Sequence, residues 1–129
     1  MFNTIRREIK FERSRLDLFI ESSDSSCLIE TKSVSLVKNG VGLFPDAPTS
    51  RGTRHLEDLI TARQQGIRSA MIFVVQREDV QVFSPNAPAD PEFYTALLKA
   101  LVEGVEIYAY CCQVTTTGIN IKAPLPLEW

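Results

Sequence analysis

The sequence predicts an α/β domain, a mixed central β-sheet flanked by helices. Apolar residues alternate or run together over 5–11, 15–20, 27–32, 70–75 and 105–114, which is strand character. Two segments with helical spacing, 49–65 and 90–103, carry their own start and stop signals. The resulting order (strands, helix, strand, helix, strand) demands at least one crossover connection within the sheet.

In Ile5–Phe11, Ile5, Arg7, Ile9 and Phe11 alternate with Arg6, Glu8 and Lys10, as expected of a half-exposed strand near an edge. Glu12–Ser14 reads as a turn into Arg15–Ile20, where Leu16, Leu18 and Ile20 should share one face and Arg15, Asp17 and Phe19 the other. A polar turn, Glu21–Ser26, leads to Cys27–Lys32, with Leu28, Glu30 and Lys32 on one side and Cys27, Ile29 and Thr31 on the other. Lys38–Asn39–Gly40 is a turn signal, with Val41–Phe44 returning as a brief strand. Pro45–Asp46–Ala47–Pro48 cannot be helix interior.

The first helix should be capped by Thr49 or Ser50, bury Leu56, Leu59, Ile60 and Ala62, and stop near Gln65 at Gly66, with Ile67 as the apolar contact beyond. Ala70–Val75 is apolar throughout, which fits a strand buried on both faces. Asp90 and Pro91 mark the start of the second helix. Its stripe is Phe93, Leu97 and Leu101, with Tyr94 and Leu98 alongside, and Gly104 ends it. Val105–Val114 and Ile119–Ile121 are strands joined at Thr116–Gly118, and Pro124–Trp129 is an irregular tail.

A chain of 129 residues, 44% hydrophobic and 23% charged, can build one core. Its net charge of −2 disfavours a non-specific nucleic-acid coat protein, while leaving room for a local basic rim. No run approaches the roughly 18 apolar residues that cross a bilayer. No signal segment follows Arg6–Arg7, so a cytoplasmic, non-membrane protein is expected. Cys27 and the adjacent Cys111–Cys112 pair suit strand or core positions better than disulfides or zinc ligation.

Chemistry concentrates on Asp17, Glu30 and Lys32. Three ionisable groups inside short apolar strands are costly unless they pair or bind a metal. If Asp17 lies opposite Glu30, two carboxylates converge, and an oxygen-ligated cation removes their repulsion. Mg2+ suits such a site, and Mn2+ is the substitute. The Thr31 backbone carbonyl, between the two side chains of the Glu-x-Lys pair, is a further candidate ligand. Lys32 would assist an attacking water or stabilise charge on a phosphate. The plainer alternative is a solvated strand face with a cross-strand ion pair.

Around this trio, Arg15 is a candidate for phosphate or for pairing with Glu30. Arg51, Arg54 and His55 open the first helix, where N–H groups attract anions. His55 suits an orienting role better than metal ligation. Asp46 is a supporting acid, a second metal ligand or a turn cap, and Ser14 is a candidate supporting residue.

The segments Ser14–Arg15–Leu16–Asp17, Ile29–Glu30–Thr31–Lys32–Ser33–Val34 and Phe44–Pro45–Asp46–Ala47 continue through Thr49–Ser50–Arg51–Gly52–Thr53–Arg54–His55–Leu56 and Phe73–Val74–Val75–Gln76–Arg77. In these the chain resembles the C-terminal domain of the sugar fermentation stimulation protein family (SfsA), over nearly its whole length. The resemblance implies a restriction-endonuclease-like, PD-(D/E)xK fold, whose signature is an Asp followed by Glu-x-Lys on a neighbouring strand. It makes Asp17 and Glu30 metal ligands and Lys32 the catalytic lysine. The implied activity is magnesium-dependent phosphodiester hydrolysis of nucleic acid, with DNA as the expected partner. The alternative is a non-catalytic DNA-binding or regulatory module linked to sugar catabolism. Residues 1–129 read as a single nuclease-like domain, without the oligonucleotide-binding-like domain that precedes it in the family. Self-association is left open. Glu12 replaces a turn glycine common in the family.

Overall fold

The computed structural model describes residues 4–12 and 14–129, with Val114 by its backbone alone. Strands β1 (Thr4–Phe11), β2 (Ser14–Glu21) and β3 (Ser26–Val34) form an antiparallel meander. There follow β4 (Leu36–Lys38), β5 (Val41–Phe44), α1 (Ser50–Gln64), β6 (Arg68–Val75), β7 (Val82–Pro85), α2 (Pro91–Val102), β8 (Glu106–Thr115) and β9 (Gly118–Pro124). The main sheet has the order β1-β2-β3-β6-β8-β9, and β4-β5-β7 form a second, three-stranded sheet. β6 pairs in parallel with both β3 and β8, which accounts for its unbroken apolar run. This is the expected mixed sheet flanked by helices.

The helix ends follow their sequence signals. Thr49 Oγ1 accepts from Gly52 N–H at 3.0 Å, and Asp90 accepts from Phe93 N–H at 3.1 Å. At the C-terminus of α1, Ile67 N–H reaches Ala62 O and Gly66 N–H reaches Arg63 O, both at 3.0 Å, the Schellman pattern. Asp90 also accepts from Thr49 N–H at 2.8 Å, so the two helix starts are tied together. Gly52 allows this closeness: a Cβ there would lie 2.9 Å from Thr49 Cγ2 and 3.1 Å from Phe93 Cε1.

The main core lies between the sheet and the helices, around Leu28, Leu56, Leu59, Met71, Phe73, Phe93 and Leu97. Phe73 stacks on Phe83 at 4.3 Å between centroids and meets Phe44 at 5.4 Å, joining the two sheets. A second cluster on the opposite face of the main sheet holds Cys27, Ile29 and Ala70, with Leu18, Ile20 and Ile72.

Several details depart from expectation. Leu16 packs in the main core while Leu18 and Ile20 join the opposite cluster, so the alternation of β2 breaks at Asp17. The residue facing Asp17 across the hairpin register is Glu8, held at φ 53°, and this backbone turn lies where the faces exchange. Ala100, rather than Leu101, completes the buried side of α2. β7 had no clear sequence pattern, and the tail is pinned to it: Phe83 N–H donates to Pro126 O and Glu128 N–H to Phe83 O. A register shift between Cys111 and Cys112 lets both neighbours be buried, and all three cysteines are free. Arg13, part of the expected turn, lies outside the described residues.

Candidate metal centre

The β2–β3 ladder runs from Glu21–Ser26 to Leu18–Ile29, and the next pair in that register is Asp17 with Glu30. There side chains replace the backbone ladder. Asp17 N–H donates to Glu30 Oε1 at 3.1 Å. In return, Asp17 Oδ2 accepts from Thr31 N–H at 2.9 Å and from Thr31 Oγ1 at 2.6 Å. The strands part at this point, and each carboxylate satisfies backbone hydrogens that the sheet has released.

Glu30 lies on the helix side of β3 with Leu28 and Lys32, and it is only 4% exposed. Its Oε2 sits 3.1 Å from Lys32 Nζ and 3.0 Å from His55 Nδ1. Lys32 Nζ is itself 2.7 Å from His55 Nδ1. His55 reaches the strands from the second turn of α1 and is 1% exposed. Burial alone would raise the Glu30 carboxyl, but the His55 hydrogen bond and the Lys32 charge outweigh it and hold the group below the ordinary glutamate range. Burial pulls the Lys32 ammonium below the usual lysine range, and Glu30 only partly offsets this. The charge of Arg51 adds to the lowering, so Arg51 faces the same corner electrostatically.

The expected residues divide accordingly. Asp17, Glu30, Thr31, Lys32 and His55 come together in one corner. Arg51 stands exposed on the first turn of α1, one turn before His55. Arg54 is half-buried, and its Nε has no hydrogen-bond partner among the described residues. Arg15 is exposed opposite Lys10; the expected Arg15–Glu30 pair is absent, because Glu30 takes its partners from Lys32, His55 and Asp17. Ser14 is buried with its hydroxyl unpaired among the described residues. Asp46 lines a polar recess of about 60 Å³ with Ser33 and Ser35, and no hydrogen bond joins it to Asp17 or Glu30.

Sequence reasoning missed Asp58, which is 2% exposed and has an unpartnered Oδ2 among the described residues. An acidic residue within the apolar stripe of a helix was the available signal. Among the described residues no three of His, Cys, Asp and Glu converge as a ready cation cage. Glu30 Oε1 and Asp17 Oδ2 accept hydrogen bonds from the chain. No helix among these residues is long and apolar enough to cross a membrane.

The model of the sugar fermentation stimulation protein RE domain matches residues 1–118. The chain belongs to the SfsA family. Among relatives, a sugar fermentation stimulation protein homolog from Alkaliphilus metalliredigens is 48% identical over 128 residues, covering 98% of this chain and 55% of its own. The homolog from Desulforamulus reducens is 42% identical, covering 99% of this chain and 54% of its own. The solved structure of Pyrococcus furiosus SfsA in complex with Ca2+ superposes with a TM-score of 0.90 at 34% identity, over 96% of this chain and 54% of that one. The chain thus spans about half the length of the SfsA proteins it matches. The fold is that of the SfsA restriction-endonuclease-like domain, as the sequence motifs implied.

Proposed function

We propose that the Asp17–Glu30–Lys32 corner is a divalent-cation-dependent nucleic-acid-binding site, and that DNA is its partner. One observation carries this reading: where β2 and β3 part, two carboxylates stand in the gap beside a buried lysine and a helix start bearing Arg51. A surface that met phosphates directly would gain nothing from two carboxylates. A cation between them and the phosphate removes the repulsion. The donor set fits a hard ion, since Asp17 and Glu30 offer oxygen. The N–H and C=O of one residue leave an extended strand on the same side, so the Thr31 carbonyl would be the candidate third oxygen ligand. His55 is committed to Glu30 and Lys32 and is not counted as a ligand. The Pyrococcus furiosus relative was solved in complex with Ca2+, which supports divalent-cation binding as the property to test.

When bound, a cation here would polarise the phosphodiester. Lys32 would place its amine against a phosphate oxygen, and Arg51 and Arg54 would hold the flanking backbone at the start of α1. The relatives' name, sugar fermentation stimulation, favours a regulatory use of such binding. Hydrolysis is the second reading. It is favoured by the Lys32 amine standing 3.1 Å from the Glu30 carboxylate in the same corner as Asp17.

The test combines Mg2+ and Ca2+ calorimetry with binding and cleavage assays on single- and double-stranded DNA and on RNA. Cation-dependent binding without cleavage supports the module; Mg2+-dependent cleavage abolished by Lys32→Met moves the assignment to a nuclease. Nucleic-acid binding unaffected by cations and by Asp17→Asn would remove the site.

A further inference from the structure

The two edges of the main sheet are built differently. β1 carries Arg6, Arg7, Glu8 and Lys10, and Glu8 sits at φ 53°, so charge and an irregular backbone guard that edge. β9 forms the other edge, and over Gly118–Ile121 it carries no charge. From Ile107 to Ile121 the chain has no charged residue at all, although 23% of its residues are charged. Ile119 and Ile121 stand 52% and 66% exposed on this hairpin. Among the described residues no strand pairs with the outer side of β9.

The hairpin fixes which groups that side offers. Thr115 pairs with Gly118 across a two-residue loop, so their backbones face each other. Alternation then turns the N–H and C=O of Ile119 and Ile121 outward and those of Asn120 inward, with both isoleucine side chains on one face. An antiparallel copy of the same strand can meet these groups only if outward residues pair with outward ones. Centred on Asn120, Ile119 of each copy faces Ile121 of the other, and the strands exchange about four backbone hydrogen bonds. Centring on Ile119 would set Ile121 against the loop residue Thr117. Centring on Ile121 runs into the irregularity at Lys122, where Cys112 pairs with Ile121 but Cys111 with Ala123. In the Asn120 register Lys122, the nearest charge, falls opposite Gly118 and has Glu78 of its own chain at 3.5 Å. No like charges meet across the dyad.

We propose that β9 is a self-association edge: a second copy of this chain pairs with it antiparallel about Asn120, joining two six-stranded sheets into one. Such a contact uses the same patch on both copies and closes at two. Backbone hydrogen bonds supply the pairing, and the Ile119–Ile121 contacts set the register. The paired segment is short, so the dimer is weak and governed by concentration.

Sedimentation velocity on the whole chain at concentrations up to about 1 mM should show a monomer–dimer equilibrium. A monomer throughout overturns the proposal. Ile119→Lys with Ile121→Lys sets like charges opposite each other and should weaken the dimer roughly tenfold or more. Ile119→Lys with Ile121→Glu sets opposite charges across the dyad and should keep the dimer, with a new sensitivity to salt. Both positions are exposed, so circular dichroism should show the fold unchanged in each variant. A dimer that both variants leave intact lies on another surface, and one that both abolish equally does not use this register; either result overturns the proposal. Independently, Asn120→Cys should close a disulfide between copies on mild oxidation, because the residues at the dyad bring their Cα atoms within bridging distance. The native cysteines are buried and do not compete. Lys122→Cys, which faces Gly118, should not cross-link. Failure of Asn120→Cys to cross-link under conditions where it sediments as a dimer would also overturn the register.

Discussion

Glu30 and Lys32 form one ion pair, yet removing either partner should cost very different amounts. Glu30 is a buried acid whose pKa is nonetheless lowered: His55, Lys32 and their hydrogen bonds more than repay its desolvation. Lys32 is the reverse, a base whose pKa is lowered because burial outweighs the attraction of Glu30. Glu30→Gln therefore discards charge-assisted hydrogen bonds and strands an ammonium with 13% side-chain exposure. The expected cost is about 3–5 kcal/mol, the range for breaking a buried pair. Lys32→Met removes a poorly solvated charge, keeps an apolar stem of similar length, and leaves His55 to donate to Glu30. Its expected cost is about 0–1.5 kcal/mol. Urea denaturation at neutral pH measures both, and the double variant should be more stable than Glu30→Gln alone, because the stranded ammonium is gone. A loss in Lys32→Met equal to or larger than that in Glu30→Gln would refute the reasoning, since it would make the lysine the net stabilising member.

The lowered Glu30 pKa also fixes a pH dependence. Its contribution is complete above the unfolded glutamate value of 4.5 and is lost as pH falls through the lower folded value, so acid unfolding of the wild type should be steeper below pH 4.5 than that of Glu30→Gln. Asp17→Asn should weaken the hold of Thr31 on the gap and reduce cation affinity by at least tenfold in calorimetry, while the fold measured by circular dichroism is kept. Replacing Arg51 and Arg54 with alanine should weaken nucleic-acid binding alike for all sequences and lower the salt slope by about 2. Gly52→Ala should destabilise by about 1 kcal/mol in thermal unfolding, because crowding against Phe93 and the Thr49 cap outweighs the gain in helix propensity.

Much of this protein was legible in its residues because the signals are local. The caps at Thr49 and Asp90, the stops at Gly66 and Gly104, the Asn39–Gly40 turn and the apolar run of β6 act within a few residues of themselves. So does the Glu30-x-Lys32 spacing, which sets both side chains on one face of a strand. The candidate site residues Asp17, Glu30 and Lys32 were likewise chosen from sequence motifs. What only tertiary structure decided depends on partners distant along the chain. β7 and the tail have weak patterns; β7 is placed by its parallel pairing with β5, and the tail by its hydrogen bonds to Phe83. The reversal of faces in β2 at Asp17 falls where its backbone ladder with β3 ends, which period-two reasoning cannot anticipate. His55 could be placed on its helix from sequence, but its bond-length contacts with Glu30 and Lys32 exist only because α1 packs across the end of the β2–β3 ladder. Alternation, caps and spacing are properties of a short stretch of chain; the sharing of one nitrogen between two strand residues is a property of how helix and sheet meet.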